Sequence, residues 1–98
     1  MVRPCKKRMI GETPKTDYFK PQGIPLRYLE EITLTLDETE ALRLADLCGL
    51  AHEESGDKMG VSRQTFGRIL QKARNKVADA LINGKAINIQ GGSYSLKE

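Results

Sequence analysis

Histidine, cysteine and tryptophan are scarce in this 98-residue sequence, which has one His, two Cys and no Trp. His and Cys, which often act as nucleophile, general base or metal ligand, are therefore almost absent. Cys48 and His52 have the i,i+4 spacing of one helix face, but structural zinc takes four protein ligands and only Cys5 remains as an obvious third. There is also no phosphate-binding glycine loop and no convincing nucleophile–base pair. We predict no metal site, no cofactor and no enzymatic activity.

Long apolar runs are missing as well. No segment approaches the roughly 20 apolar residues of a membrane-spanning helix, and no apolar core follows the basic start as in a secretory signal. A cytoplasmic, reduced protein without a membrane partner is expected. A length of 98 residues is enough for one small domain with its appendages and too short for a large enclosed active site.

Charged residues are abundant but unevenly distributed. Residues 1–20 have six Lys or Arg and two acids, residues 21–61 have three and nine, and residues 62–85 have six and one. Two basic segments of net charge +4 and +5 thus flank an acidic centre of −6. A locally basic face attracts phosphates even when the formal charge of the whole chain is only +3. This distribution favours a nucleic-acid partner.

Residues 53–70 have the pattern of a helix-turn-helix, in which two short helices meet at a steep angle through a turn of three or four residues. Gly56 is the small residue that the crossing requires, and Gly60 can adopt the positive φ that ends the first helix. Ser62 is placed to cap the second helix. The side chains predicted to point into the shared core are Met59, Val61, Phe66 and Ile69.

Ser55 departs from this pattern, because a buried apolar side chain is expected one residue before the crossing glycine. A Ser-Gly pair inside a short helix also lowers its helix propensity, by roughly 1 kcal/mol or more. We therefore expect the first helix to be the least stable element of the domain.

The second helix is predicted to run from Arg63 to a stop at Asn83-Gly84. Apolar residues recur at steps of three and four residues, which predicts one buried stripe: Phe66, Ile69, Leu70, Ala73, Val77, Ala80 and Leu81. The opposite face is basic and polar, and for an isolated helix it would be read as simply solvated. Because Arg can hold guanine and Gln adenine by two bonds each, base readout is predicted for Arg63, Gln64 and Arg68. Supporting contacts, some of them to phosphates, are predicted for Ser62, Thr65, Gln71, Lys72, Arg74 and Lys76.

The segment before this motif contains all four prolines, within residues 1–25, and is predicted to be extended. Residues 1–15 have two open interpretations, a basic arm that tracks DNA and a disordered tail. The aromatic pair Tyr18-Phe19 is too apolar for a free tail and is expected to pack back on the domain. A short strand is predicted at residues 32–36.

A further helix is predicted between that strand and the motif. Asp37 and Glu40 form a pattern like a capping box at its start, and Gly49 is its predicted stop. After the long helix, apolar and polar residues alternate over residues 86–90, which predicts a second strand. Three pairings stay open for it: beside residues 32–36, in a hairpin around Gly91-Gly92, or with another molecule.

These residues carry a resemblance to known families. Residues 34–81 resemble the DNA-binding region four of bacterial sigma factors, through Thr35-Leu36-Asp37, Glu40-Ala41-Leu42-Arg43-Leu44, Gly49-Leu50, Glu53-Glu54 and Gly60-Val61-Ser62. The whole chain is closer to a family of short prokaryotic proteins, domain of unknown function 134, which is predicted to bind DNA. Its matching stretches are Tyr18-Phe19-Lys20-Pro21, Gly23-Ile24-Pro25, Leu34-Thr35-Leu36-Asp37, residues 40–47, residues 58–70 and Ala78-Asp79-Ala80-Leu81.

The resemblance implies a winged helix-like DNA-binding fold and DNA contact through Arg63, Gln64 and Arg68. Two departures stand out, since Ala51 replaces the expected Ser or Thr cap and Ser55-Gly56 replaces a more apolar pair. We expect both departures to lower the stability of the domain more than they weaken its contact with DNA.

The predicted fold is mainly α, a three-helix helix-turn-helix domain like sigma region four, with an extended N-terminal segment and short strands at residues 32–36 and 86–90. The predicted organisation is a basic segment at residues 1–25, the DNA-binding domain at 26–84 and a strand or tail at 85–98. The expected function is sequence-specific binding of double-stranded DNA by a transcriptional regulator that inserts residues 62–76 in the major groove. The alternative is a protein-interaction module without DNA readout. A second copy of the chain and the transcription machinery are the other candidate partners.

Overall fold

A computed structural model describes residues 7–92 and 94–96 of the chain. This part is mainly helical, with three α-helices and five short β-strands. The helices are α1 (Leu36–Leu42), α2 (His52–Met59) and α3 (Arg63–Asn83). The strands are β1 (Arg8–Ile10), β2 (Tyr18–Phe19), β3 (Glu31–Leu34), β4 (Ala86–Ile89) and β5 (Tyr94–Leu96). Leu26–Tyr28 form a 3-10 turn, and Arg43–Leu47 continue α1 as a π-helical turn. In the described residues, none of the helices combines the length and apolar character needed to cross a membrane.

Helix α1 starts with a complete capping box, but not the one predicted. The Thr35 hydroxyl accepts a hydrogen bond from the Glu38 amide at 3.4 Å, and the Glu38 carboxylate accepts one from the Thr35 amide at 2.9 Å. The predicted pairing of Asp37 with Glu40 is therefore wrong. Thr35 precedes the first helical residue and has the extended backbone of an N-cap, whereas Asp37 already lies within the first turn.

The core is built mainly by α1, α2 and α3. Its larger cluster consists of the buried residues Ala41, Leu44, Met59, Phe66, Ile69 and Leu70, and a second one of Leu34, Ala73 and Ile89. The predicted core positions Met59, Phe66 and Ile69 are confirmed, and Val61 packs against the larger cluster while only partly buried. Leu81 is the exception, because 75% of its surface is exposed near the C-terminal end of α3.

Strand β4 lies in the middle of a three-stranded sheet. It pairs in parallel with β3, with Ile32 opposite Ile87, and antiparallel with β2, with Tyr18 opposite Asn88. Of the pairings left open by the sequence, the one beside the first predicted strand is confirmed. The hairpin around the two glycines is wrong, because β5 pairs in parallel with β1 instead.

The N-terminal segment is held to the domain from β1 onward. Ile10 is 1% exposed, and the Gly11 amide donates a hydrogen bond of 2.9 Å to the buried carboxylate of Glu40. A disordered tail is therefore the wrong interpretation for residues 8–10, and Tyr18-Phe19 does pack back as a strand, although Phe19 remains 53% exposed. Residues 1–6, with Cys5, lie outside the described residues, as do residues 93, 97 and 98.

Ser55 is fully buried in α2, and its hydroxyl has no hydrogen-bond partner among the described residues. Leaving a buried polar group unsatisfied costs about 1–3 kcal/mol, so we expect Ser55→Ala to raise the free energy of unfolding by about 1–2 kcal/mol. Urea denaturation measures this change. Ser62→Ala is the control, and loss of its N-cap should instead cost about 1 kcal/mol. A less stable Ser55→Ala would show that the hydroxyl is satisfied in solution.

Candidate nucleic-acid interface

Helices α2 and α3 are joined by the short turn Gly60-Val61-Ser62. Helix α2 ends because Gly60 adopts a left-handed φ of +71°, which lets the Val61 amide donate to the Gly56 carbonyl at 2.9 Å. Helix α3 begins because the Ser62 hydroxyl accepts a hydrogen bond from the Thr65 amide at 3.1 Å. Gly60 and Ser62 thus have the local roles predicted for them.

The approach of the two helices is close at Gly56. A Cβ atom placed there would lie 2.9 Å from the carbonyl oxygen of Val61 and 3.3 Å from that of Ser62. Both neighbours are backbone atoms of the turn, so they cannot move aside as a flexible side chain can. The absence of a side chain at Gly56 therefore decides how α3 is oriented on α2.

The outward face of α3 has one continuous polar row, called here the outer stripe: Gln64, Arg68, Gln71 and Asn75. Steps of four, three and four residues place them on one side of a helix with 3.6 residues per turn, and all four are exposed. The side-chain amide of Gln71 donates to that of Asn75 at 3.1 Å. Amides and a guanidinium in such a row can form hydrogen bonds with base edges.

On the α2 side of the outer stripe lies a shallow cleft of about 500 Å³. Arg63 and Gly67 of α3 face His52 of α2 across it, and the His52 ring packs edge-on against Phe66 with centroids 5.3 Å apart. A Cβ atom at Gly67 would meet nothing closer than His52 Nδ1 at 4.0 Å. Packing therefore does not require glycine at this position, and its effect is to leave the backbone of α3 accessible.

Three cations of α3 are exposed and unpaired: Arg63, Arg68 and Lys72. Among residues 7–92 and 94–96, none forms a side-chain hydrogen bond or ion pair with any of the three. Their charge is therefore available to an external anion.

Arg74 and Lys76 are engaged within the protein instead. Arg74 makes two hydrogen bonds to Asp46, of 2.6 and 3.1 Å, which lower the pKa of Asp46 and raise the pKa of Arg74. Lys76 Nζ donates to the buried Glu38 carboxylate at 2.7 Å and to the Thr33 carbonyl at 2.8 Å. The predicted DNA contacts of Arg74 and Lys76 do not follow from this geometry, since both side chains tie α3 to the rest of the fold.

The remaining predicted residues divide by position. Ser62 serves as the cap and also donates to the Thr65 hydroxyl at 3.0 Å, while Thr65 is half-buried. The structure brings Arg8 of β1 beside Arg68 and Lys72, in one groove. The sequence left open a basic arm that tracks DNA for residues 1–15, on the signal of the basic run Lys6-Lys7-Arg8, but it did not predict the position of Arg8 beside α3.

Fold and surface together define a small, mainly helical protein with a basic, exposed helix face. The chain belongs to the family described as protein of unknown function DUF134, whose model matches residues 1–97. This confirms the predicted membership of that family. It is 60% identical to a UPF0251 protein of Desulfosudis oleivorans over 94 residues, which make up 96% of this chain and 68% of that protein. It is 53% identical to a UPF0251 protein of Methanococcus vannielii over 96 residues, 98% of this chain and 74% of the relative. No solved structure matches the chain.

Proposed function

We propose that this protein binds double-stranded DNA sequence-specifically and acts as a transcriptional regulator, with the N-terminal half of α3 in the major groove. The observation that carries the proposal is the outer stripe together with the unpaired cations Arg63, Arg68 and Lys72. Base edges are read by polar side chains on a protruding helix, and phosphates are contacted by unpaired cations beside it. The three cations and all of the outer stripe except Asn75 lie on the N-terminal half of α3.

The arrangement of α2 and α3 supports the same proposal. A short helix, a tight glycine turn and a longer second helix are the parts that a helix-turn-helix requires, and in that motif the first helix crosses the DNA backbone. The close contact at Gly56 holds α3 in a defined orientation. A rigidly held recognition helix adds no cost for ordering its backbone on binding.

The residues divide into reading and positioning roles. Arg68 is central in the outer stripe and is proposed to hold guanine, while Gln64 reads a neighbouring base and Arg63 contacts the DNA on the α2 side. Lys72 is proposed to bind a phosphate. Arg74 and Lys76 are left out of the interface, because their ion pairs with Asp46 and Glu38 would have to break first.

Selection from a randomised duplex pool at two salt concentrations tests the proposal. Enrichment of a defined motif is the expected result, and two spaced half-sites would indicate a dimer on DNA. Salt-sensitive binding without a motif would reduce the function to phosphate attraction. No binding at low salt by folded protein would contradict the proposal.

Single substitutions on α3 should separate readout from phosphate contact. We expect Arg68→Ala to cost about 1–3 kcal/mol on the best duplex and to relax preference at one base pair. Lys72→Ala should weaken all duplexes alike and lower the salt dependence. Arg74→Ala removes the same charge from the same helix and is the control, with affinity expected to stay near that of wild type. Equal effects of all three changes, measured by fluorescence anisotropy, would contradict the assigned roles.

Gly67 offers a test in which stability and binding change in opposite directions. Since a Cβ there has room, Gly67→Ala should stabilise α3 by about 0.5–1 kcal/mol through helix propensity. If DNA approaches the α3 backbone at this point, the added methyl group should lower the affinity. Thermal melting and anisotropy measure the two quantities. A stabilised variant with unchanged affinity would place the DNA away from Gly67.

A second candidate function is an interaction module without DNA readout. A groove of about 590 Å³ between residues 12–15 and the π-helical turn is bordered by Leu47, which is 81% exposed. Exposed apolar side chains at a groove are typical of protein-binding sites. A stable complex with a component of the transcription machinery, together with no DNA binding, would favour this function.

A further inference from the structure

A groove of about 610 Å³ lies between β1 and α3, on the α1 side of the outer stripe. Three cations line it: Arg8 from β1, and Arg68 and Lys72 from α3. Arg68 and Lys72 are four residues apart and so lie about 6 Å apart along the helix axis. Arg8 is 60 residues distant from Arg68 in the chain and reaches the groove only through the tertiary fold.

The hydrogen-bond donors of the Arg8 guanidinium are only partly satisfied. Its ion pair with Asp37 is long, at 3.9 Å, and its Nε–H is shielded from solvent without an acceptor among the described residues. Asp37 has a better partner, since it accepts a 2.5 Å hydrogen bond from the Thr35 hydroxyl. An Arg guanidinium has five donors in a fork that matches a phosphate, and most of those of Arg8 have no partner in the described fold.

The charge of the groove favours an anion despite two carboxylates in its wall. Glu38 is neutralised by Lys76 at 2.7 Å and also accepts the Thr35 amide. Asp37 remains as the one carboxylate that faces the three cations, so the local excess is positive. A single phosphate between Arg8 and Lys72 would bring these cations together without burying an unpaired charge.

Strand β1 is held firmly enough to place Arg8 as part of a rigid surface. Ile10 is 1% exposed, the Gly11 amide donates to Glu40, and β5 pairs along β1 with Tyr94 opposite Arg8. Glu40 in turn makes hydrogen bonds of 2.7 and 2.8 Å to Arg43, which raise the pKa of Arg43. The position of Arg8 relative to α3 is thus determined by the core and not by a loose arm.

We propose that this groove binds one phosphate of the DNA backbone, so that Arg8 of β1 clamps the strand next to the major groove that α3 enters. The inference rests on the proposed DNA-binding function and extends the interface to the N-terminal segment. A phosphate contact has no sequence information of its own, but it positions the protein on the duplex. Arg8 therefore adds affinity and helps to hold the protein on the duplex, while Arg68 and Gln64 determine the base preference.

The test compares Arg8→Ala, Arg8→Lys and wild type on the best duplex from the selection, over a series of salt concentrations. We expect Arg8→Ala to bind about tenfold more weakly and to lose about 0.9 from the slope of log affinity against log salt. Arg8→Lys should keep the slope, because its charge remains. The enriched motif should be the same for all three proteins. Arg27→Ala is the matched control, since Arg27 is exposed and lies over the ring of Tyr28, which borders a groove at the C-terminal end of α3.

A scan with single neutral methylphosphonate linkages identifies the phosphate itself. One linkage should weaken wild type more than it weakens Arg8→Ala, because Lys72 still contacts that phosphate in the variant, and a purely structural role of Arg8 would not produce this difference. Thermal melting locates the unfolding transition of each variant, and binding is measured below that temperature. An unchanged salt slope for Arg8→Ala, or equal loss with Arg27→Ala, would overturn the inference while wild-type binding still supports the proposed function. Failure of wild type to bind any duplex would overturn both.

Discussion

Glu38→Ala is expected to lower the free energy of unfolding by about 2–4 kcal/mol. The Glu38 side chain is 6% exposed and joins α1 to α3, because it completes the capping box of α1 with Thr35 and pairs with Lys76 of α3. Lys76 also donates to the Thr33 carbonyl of β3, so its position depends on the same interaction. Alanine removes the cap acceptor and leaves the Lys76 ammonium without a carboxylate. Urea denaturation at neutral pH measures the loss.

Two further variants separate the parts of this effect. Glu38→Gln keeps an acceptor for the capping box but removes the charge, so it should be less damaging than Glu38→Ala. Lys76→Met removes the ammonium and keeps the aliphatic stem, and a double-mutant cycle with Glu38→Gln gives the coupling energy. We expect Lys76→Met to lower stability without changing DNA affinity. A large loss of DNA affinity in the folded variant would show that Lys76 contacts DNA.

Gly56→Ala is expected to lower the free energy of unfolding by about 1–3 kcal/mol, because overpacking at a rigid contact outweighs the better helix propensity of alanine. The added Cβ would approach the Val61 carbonyl at 2.9 Å, which requires α2 and α3 to separate. DNA affinity should fall in the folded variant as well, since α3 would be presented at another angle. Chemical denaturation and anisotropy measure both effects.

Gly67→Ala is the matched control, because it makes the same substitution on the other helix of the pair. The two variants should change stability in opposite directions, since a Cβ at Gly67 has its nearest neighbour at 4.0 Å. A Gly56→Ala protein as stable as wild type would show that the helices can shift without cost. The contact at Gly56 would then not determine the orientation of α3.

Much of the local structure could be predicted from the sequence. The left-handed cap at Gly60, the N-cap at Ser62 and the stop at Gly84 depend on hydrogen bonds within four or five residues. The three-four periodicity from Phe66 to Ala80 likewise identified the buried side of α3. It failed at Leu81, where the pattern continues but the residue is 75% exposed. The periodicity of apolar residues identifies one face of a helix, but it does not show where along the helix the core ends.

The candidate interface was only partly predictable, because charge alone does not show which cations are already paired. Arg74 and Lys76 belong to the same basic run as Arg68 and Lys72. Their partners lie 28 and 38 residues earlier in the chain, at Asp46 and Glu38. Such pairs form only when α1 and its π-helical turn pack against α3, so sequence spacing could not separate them from the unpaired cations.

What the sequence by itself determined is the pair of helices joined at Gly60-Val61-Ser62, the closeness of their crossing at Gly56 and the polar composition of the outer stripe. These features depend on backbone freedom, side-chain size and helical period, which are properties of neighbouring residues. Tertiary structure alone decided the parallel pairing of β3 with β4, the burial of Glu38 and the position of Arg8 beside α3. Each of these joins residues far apart in the chain, and such contacts arise when apolar surfaces pack together and the charges near them must find partners.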